Sequence, residues 1–134
     1  MKTITVCGSM KLIEKMKEVE VKLKDLGFNV LLPNTAEVSD YSVMSESEQY
    51  THKNRMILDH LDKIKQGDAI LVVNDRLKDT DSYIGANSFL EIGFAFSLGK
   101  KIFLLNEIPQ QPNTVEIGGT LPICLKGDLS VIGI

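Results

Sequence analysis

Glu91 is the residue in this chain best placed to do chemistry. It lies in the run Asn87-Ser88-Phe89-Leu90-Glu91-Ile92-Gly93-Phe94-Ala95-Phe96, which is otherwise almost wholly apolar. Taking a carboxylate out of water is costly unless it is paired or hydrogen-bonded. A carboxylate kept in such a helix can serve as base, acid or nucleophile. The plainer reading is a helix-surface Glu bonded to Ser or Asn, or an ion-pair partner. Asn87 precedes Glu91 by four residues and shares its helical face, so it can hold or orient the carboxylate. Ser88 and Ala95 extend the same stripe, and Gly93 leaves room for close packing behind it.

Two further segments converge with this one. Gly8-Ser9-Met10 follows the first apolar run. Glycine lets backbone approach a ligand, and a helix amino end offers N–H groups to an anion or a sugar hydroxyl. A plain strand-to-helix turn uses the same residues. It is neither GxxxxGK[ST] nor GxGxxG. The polar stretch 74–87 carries Asn74, Asp75, Asp79, Asp81, Tyr83 and Gly85 just ahead of the Glu91 helix. Asp59 and His60 are in a third segment. His60 can move protons near neutral pH, although a helix His is more often an ordinary surface residue. His52, among Gln49, Lys53 and Arg55, reads as solvent-facing.

The elements that must position these residues alternate. Residues 3–7, 28–32, 69–73 and 101–105 are short apolar runs that read as strands. Residues 10–26 carry Leu12, Ile13, Met16, Val19, Leu23 and Leu26 at helical spacing, and Gly27 stops them. Residues 46–66 form a long helix with Met56, Ile57, Leu61 and Ile64 inward, closed by Gly67. Residues 86–98 form the Glu91 helix, closed by Gly99. Residues 35–45 and 107–120 read as irregular, and 123–125 or 129–132 as a short fifth strand. Such alternation predicts an α/β fold, a flavodoxin-like or Rossmann-like three-layer sandwich. Its parallel sheet has four to five strands in the order 2-1-3-4-5, with ligands at the carboxyl edge. With 134 residues the chain is the size of one domain.

Composition narrows the partners. The formal net charge is −3, which offers no basic field to nucleic acid. The two cysteines, Cys7 and Cys124, belong to no CxxC pair or His/Cys cluster, so no metal or other cofactor is implied. Cys7 reads as a buried small hydrophobe. The first residues do not resemble a signal peptide, and no apolar run approaches the ~20 residues of a membrane span. The expectation is a cytoplasmic protein acting on a small molecule.

Gly8-Ser9, the strand Asp68-Ala69-Ile70-Leu71-Val72-Val73-Asn74 and the run Tyr83-Ile84-Gly85-Ala86-Asn87-Ser88-Phe89-Leu90-Glu91-Ile92-Gly93-Phe94-Ala95 resemble the nucleoside 2-deoxyribosyltransferase family. Its relatives include deoxynucleoside 5′-monophosphate N-glycosidases. The chain is most similar to a compact, poorly characterised branch with a Gly127-Asp128-Leu129-Ser130 ending. The resemblance implies that Glu91 attacks the anomeric carbon, expels the base and forms a glycosyl-enzyme ester, as a retaining glycosidase does. Another base or water resolves the ester. It implies a nucleoside or nucleotide substrate, held by Gly8, Ser9, Met10, Asn74, Tyr83, Gly85, Asn87 and Ser88. It also implies a homodimer or higher homo-oligomer, with residues 107–134 as the natural contact.

Three departures stand out. The family's acid near the end of helix two aligns with His60, with Asp59 beside it. Thr5 stands where the family often has an aromatic facing the base, leaving Met10 or Tyr83 to stack. Only Lys11 is cationic after the Gly-Ser turn, where the monophosphate hydrolases have an arginine-rich loop. Two other functions stay open: a non-catalytic nucleotide-binding module, and NAD cleavage. A phospho-acceptor receiver is disfavoured, because Asn74 and Gly8-Ser9 stand where it needs acids.

Overall fold

A computed structural model describes residues 1–35 and 40–134; the remainder of the irregular 35–45 stretch lies outside the described residues. Five parallel strands, β1 (Thr3–Cys7), β2 (Asn29–Leu31), β3 (Ala69–Val72), β4 (Lys101–Leu104) and β5 (Ile123–Cys124), form one sheet in the order β2-β1-β3-β4-β5. This is the order the alternating pattern predicts. β1 sits between β2 and β3, with Ile4 opposite both Val30 and Ala69. The central strands carry almost no polar residues because both sheet faces are covered. Alternate residues therefore serve different cores. Ile4, Val6 and Leu71 pack with Met16, Val19 and Leu23 of α1 (Ile13–Asp25). Cys7, Ile70 and Val72 pack with Ile64 of α2 (Glu46–Gln66) and Ile92 of α3 (Ala86–Ser97).

Local sequence sets the helix ends. Ser45 and Glu48 make a reciprocal capping box at the start of α2. Gly27 and Gly99 take φ of +94° and +70°, which L residues avoid, and end α1 and α3. The inward stripe of α2 differs from expectation. Met56, His60 and Ile64, four residues apart, are buried, whereas Ile57 and Leu61 are only half-buried.

The carboxyl-terminal third departs further. A short helix, α4 (Thr114–Gly119), forms within the stretch read as irregular, anchored by fully buried Ile117. Thr114 Oγ1 donates to Pro109 O or Gln111 O, at 2.6 Å from each. Residues 129–131 form a single 3-10 turn rather than a strand. The Asp128 carboxylate accepts from Ser130 N, and this local bond competes with sheet pairing. Ile117, Leu125 and Leu129 pack into the chain's own core, whereas Val115, Leu121 and Val131 of the same tail are 80%, 83% and 60% exposed. Gly93 was expected to admit a close neighbour, yet a Cβ there would meet nothing within 4 Å. No helix among the described residues is long and apolar enough to cross a membrane.

Candidate active site

The site lies at the carboxyl edge of the sheet, where β1 and β3 send their chains to opposite faces. Gly8 makes the first turn possible: a Cβ there would come within 3.2 Å of both Met16 Sδ and Val73 O. Ser9 Oγ accepts from Lys11 N at 3.4 Å and caps the turn. Asn74, at the end of β3, is fully buried, and its amide clasps three segments. It donates to Ser82 O and Glu107 O and accepts from Asn106 N. Its polar atoms are thus committed to holding the loops, and it cannot face a ligand as expected. Gln111 completes the scaffold by bonding Ile84 through both its Oε1 and its Nε2.

The loop between β3 and α3 is strained. Lys78, Asp79 and Ser82 have φ of 51°, 56° and 58°. Leu77 and Thr80 exchange backbone hydrogen bonds around Lys78 and Asp79, a tight turn whose central pair would favour Asn-Gly. That turn sets the Lys78 ammonium 5.3 Å above the Tyr83 ring. Tyr83 in turn folds over Gly85, whose Cβ would sit 3.3 Å from the ring.

Glu91 meets His60 behind this loop. The two side chains, 3% and 13% exposed, approach to 2.6 Å between His60 Nε2 and Glu91 Oε2. Cys7 Sγ lies 3.4 Å from the same nitrogen. Burial, with Lys63 adding to it, lowers the His60 pKa to about 4 against the opposing pull of Asp59. The imidazole is therefore neutral at pH 7. Its Nδ1 is buried without a hydrogen-bond partner among the described residues. A proton on Nδ1 would be stranded, so the proton belongs on Nε2, donated to Glu91 Oε2. Asp59 takes no part in this contact and pairs with Lys63 at 3.2 Å. Asn87 and Ser88, expected to orient Glu91, flank it on α3, but the orienting bond comes from His60.

A cleft of about 340 Å3 opens beside the pair. Its lining includes Ser9, Met10, Tyr83, Gly85, Asn87 and Ser88, all singled out from sequence, and also Lys11, Tyr41, Lys53 and Lys78. Asn87 and Lys53 also line the shallow recess over His60 and Glu91, joining the two. Three lysines and no carboxylate face the cleft, in a chain whose net charge is −3. The amino end of α3, with no side-chain cap, adds free N–H groups. Sequence reasoning found only Lys11 of the three. Lys53 lies seven residues before His60, on the stripe that faces inward, and that spacing could have revealed it.

Two other expectations change. Thr5 does not face the cleft: it is fully buried, and its hydroxyl donates to Lys63 O at 2.9 Å near the end of α2. The β1 side chain at the site is Cys7. His52 is half-buried rather than solvent-facing and packs edge-on against Tyr41, with ring centroids 5.6 Å apart. The spacing of the cysteines and histidines gives no hint of a metal. Yet the folded chain brings ligand atoms of Cys7, His60 and Glu91 within 4.8 Å of one another.

No family model matches the sequence, and no curated protein matches it. Among solved structures, it is similar to a 2-deoxyribosyltransferase from the psychrotolerant bacterium Bacillus psychrosaccharolyticus, described as a biocatalyst for nucleoside synthesis. The two are 18% identical, superpose with a TM-score of 0.65, and match over 98% of this chain and 93% of the other. The chain therefore shares the fold of that 2-deoxyribosyltransferase over nearly its whole length.

Proposed function

We propose that this protein cleaves the N-glycosidic bond of a nucleotide, with Glu91 as nucleophile. The observation that carries the reading is the Glu91 carboxyl group, nearly buried and 2.6 Å from the His60 imidazole nitrogen, in a recess that shares Lys53 and Asn87 with the open cleft. One Glu91 oxygen is held by His60 Nε2–H, leaving the other to attack the anomeric carbon. The carbon–nitrogen bond breaks, its electron pair leaves with the base, and an ester to Glu91 remains. Water or a second base then attacks the same carbon, loses its proton, and releases the carboxylate. Two displacements replace one difficult step. The fold shared with a 2-deoxyribosyltransferase supports this chemistry.

His60 acts here as a positioning residue. It sits behind Glu91 at 3% exposure, with a pKa of about 4, and has no proton to spare for a leaving base near neutrality. The substrate's 5′ side is read from the cleft. Lys11, Lys53 and Lys78 together with the α3 amino end suit a phosphate. This favours a nucleoside 5′-phosphate over an uncharged nucleoside. NAD offers the same combination of phosphate and N-glycosidic bond.

Incubation with deoxynucleosides, their 5′-monophosphates, ribonucleotides and NAD, with and without an acceptor base, tests the reading. Free base or nicotinamide is read by chromatography. Release should be greatest from a phosphorylated substrate and absent in Glu91→Gln. Full turnover by that variant would sink the mechanism. Tight nucleotide binding with no product from any substrate would instead favour a binding module.

A homo-oligomer would bury exposed apolar residues of the tail, such as Val115, Leu121 and Val131, or the outer face of α2 and α3. Leu58 and Leu90 are 55% and 42% exposed there. A strict monomer at micromolar concentration, by light scattering, would remove that proposal.

A further inference from the structure

Cys7 is the member of the buried cluster that glycosyl chemistry leaves without a task. Its sulfur is 3.4 Å from His60 Nε2, and all three donor atoms of Cys7, His60 and Glu91 lie within 4.8 Å of one another. They come from β1, α2 and α3, three separate elements. A thiol, an imidazole and a carboxylate make the borderline-soft donor set that zinc-class ions prefer over magnesium or calcium.

We propose that Cys7, His60 and Glu91 form a binding site for a zinc-class divalent cation, and that its occupation withdraws Glu91 from the recess beside the cleft. Zinc–ligand distances of about 2.0 to 2.3 Å in a tetrahedron set the sulfur and nitrogen roughly 3.5 Å apart. The observed 3.4 Å already satisfies that spacing. The nitrogen–oxygen pair, now at 2.6 Å, must open by roughly 0.7 Å to reach tetrahedral spacing. Turning the Glu91 carboxylate at the end of its side chain can supply this. His60 and Glu91 also line the recess that holds Lys53 and Asn87, from which water would complete the shell. The proton balance is fixed. Cys7 loses its thiol proton to solvent, and the imidazole proton moves from Nε2 to Nδ1, where its lack of a partner is a cost that the three metal bonds must exceed, so one proton is released per ion bound. The metal then replaces His60 as the group holding Glu91, and the carboxylate can no longer form an ester.

Binding itself does not depend on the glycosyl reading; only the inhibition rests on it. The test titrates the full chain, cleared of metal by a chelator, with Zn2+ against a chromogenic competitor and with Co2+ by absorption. The expected result is one equivalent bound, with a sulfur-to-cobalt charge-transfer band and the intense visible bands of tetrahedral cobalt. Cys7→Ser should abolish the charge-transfer band and weaken Zn2+ by at least the ~10–100-fold typical of losing a supporting contact. Glu91→Gln, which keeps the shape, should weaken Zn2+ while retaining the sulfur band. Thermal melts establish that both variants fold. No stoichiometric binding, or a cobalt spectrum without sulfur character, would overturn the proposal. So would equal affinity in Cys7→Ser. If base release is observed, the ratio of turnover with and without one equivalent of Zn2+ should fall at least tenfold in the parent and stay near one in Cys7→Ser. If no substrate turns over, the cobalt spectrum still decides the site.

Discussion

Lowering the pH from 7 to 4 should destabilise this protein through one residue, His60. The group would titrate near 6.5 in the unfolded chain but is held to about 4 in the fold by burial and by Lys63. Between those values the unfolded chain binds a proton that the folded chain refuses, so stability falls as pH falls. The contribution is fully present above pH 6.5. At 1.36 kcal/mol per unit, about 2 kcal/mol is gone at pH 5 and about 3 kcal/mol at pH 4. The carboxylates titrate in the same range, so the effect must be read as a difference. His60→Gln keeps an N–H donor for Glu91 and has no titrating group. Urea unfolding of both proteins, followed by circular dichroism from pH 8 to 4, isolates the term. The parent should lose about 3 kcal/mol more than the variant over that range. Identical pH profiles would refute the reasoning. A difference of opposite sign would show that the ion pair with Glu91 outweighs the cost of burying the imidazolium.

Three other outcomes follow from the same geometry. Lys53→Ala and Lys78→Ala should each raise KM for a nucleoside 5′-monophosphate about tenfold, the cost of one charge-assisted contact. They should leave KM for the uncharged nucleoside nearly unchanged, as initial rates at low salt would show. Asn74→Ala removes three buried hydrogen bonds and should cost about 2–4 kcal/mol in urea unfolding, with the β3–α3 loop loosened. Asp79→Gly relieves a left-handed residue in the Leu77–Thr80 turn and should add about 0.5–1 kcal/mol, seen as a higher melting temperature.

Much of this arrangement is visible in the residues themselves. The apolar runs at 3–7, 69–73 and 101–105 and the helical spacings between them determine a parallel sheet, because only strands covered on both faces are apolar throughout. Glu91 stands out because the helix around it is apolar. His60 was legible as a candidate but not as a buried one. Its burial follows from Met56 and Ile64 at four-residue intervals, a weaker signal than the apolar residues between them. Cys7 and His60 are 53 residues apart, and nothing in local sequence says that a strand end and a helix middle will meet. Lys78 reaches the cleft only through a left-handed turn that its sequence, Lys-Asp, does not advertise. Asn74 was legible as a polar strand end, but its three loop partners are set by tertiary structure. Residues 129–131 turned rather than paired because Asp128 and Ser130 satisfied each other first.

The two thiols differ sharply in access, and this gives the protein a built-in clock. Cys7 is fully buried beneath the meeting of α2 and α3, whereas Cys124 is only partly covered, and neither is in a disulfide. A thiol reagent will therefore label the chain in two phases. Cys124 sets the fast one, slowed somewhat because burial and Glu107 push its thiol pKa up. The slow phase measures how often the α2–α3 seam parts far enough to admit a reagent, and its rate relative to a model thiol gives the free energy of that opening. A substrate seated over Glu91 would hold the seam shut and stretch the slow phase alone. Occupancy of the site could then be followed by mass alone, with no turnover required.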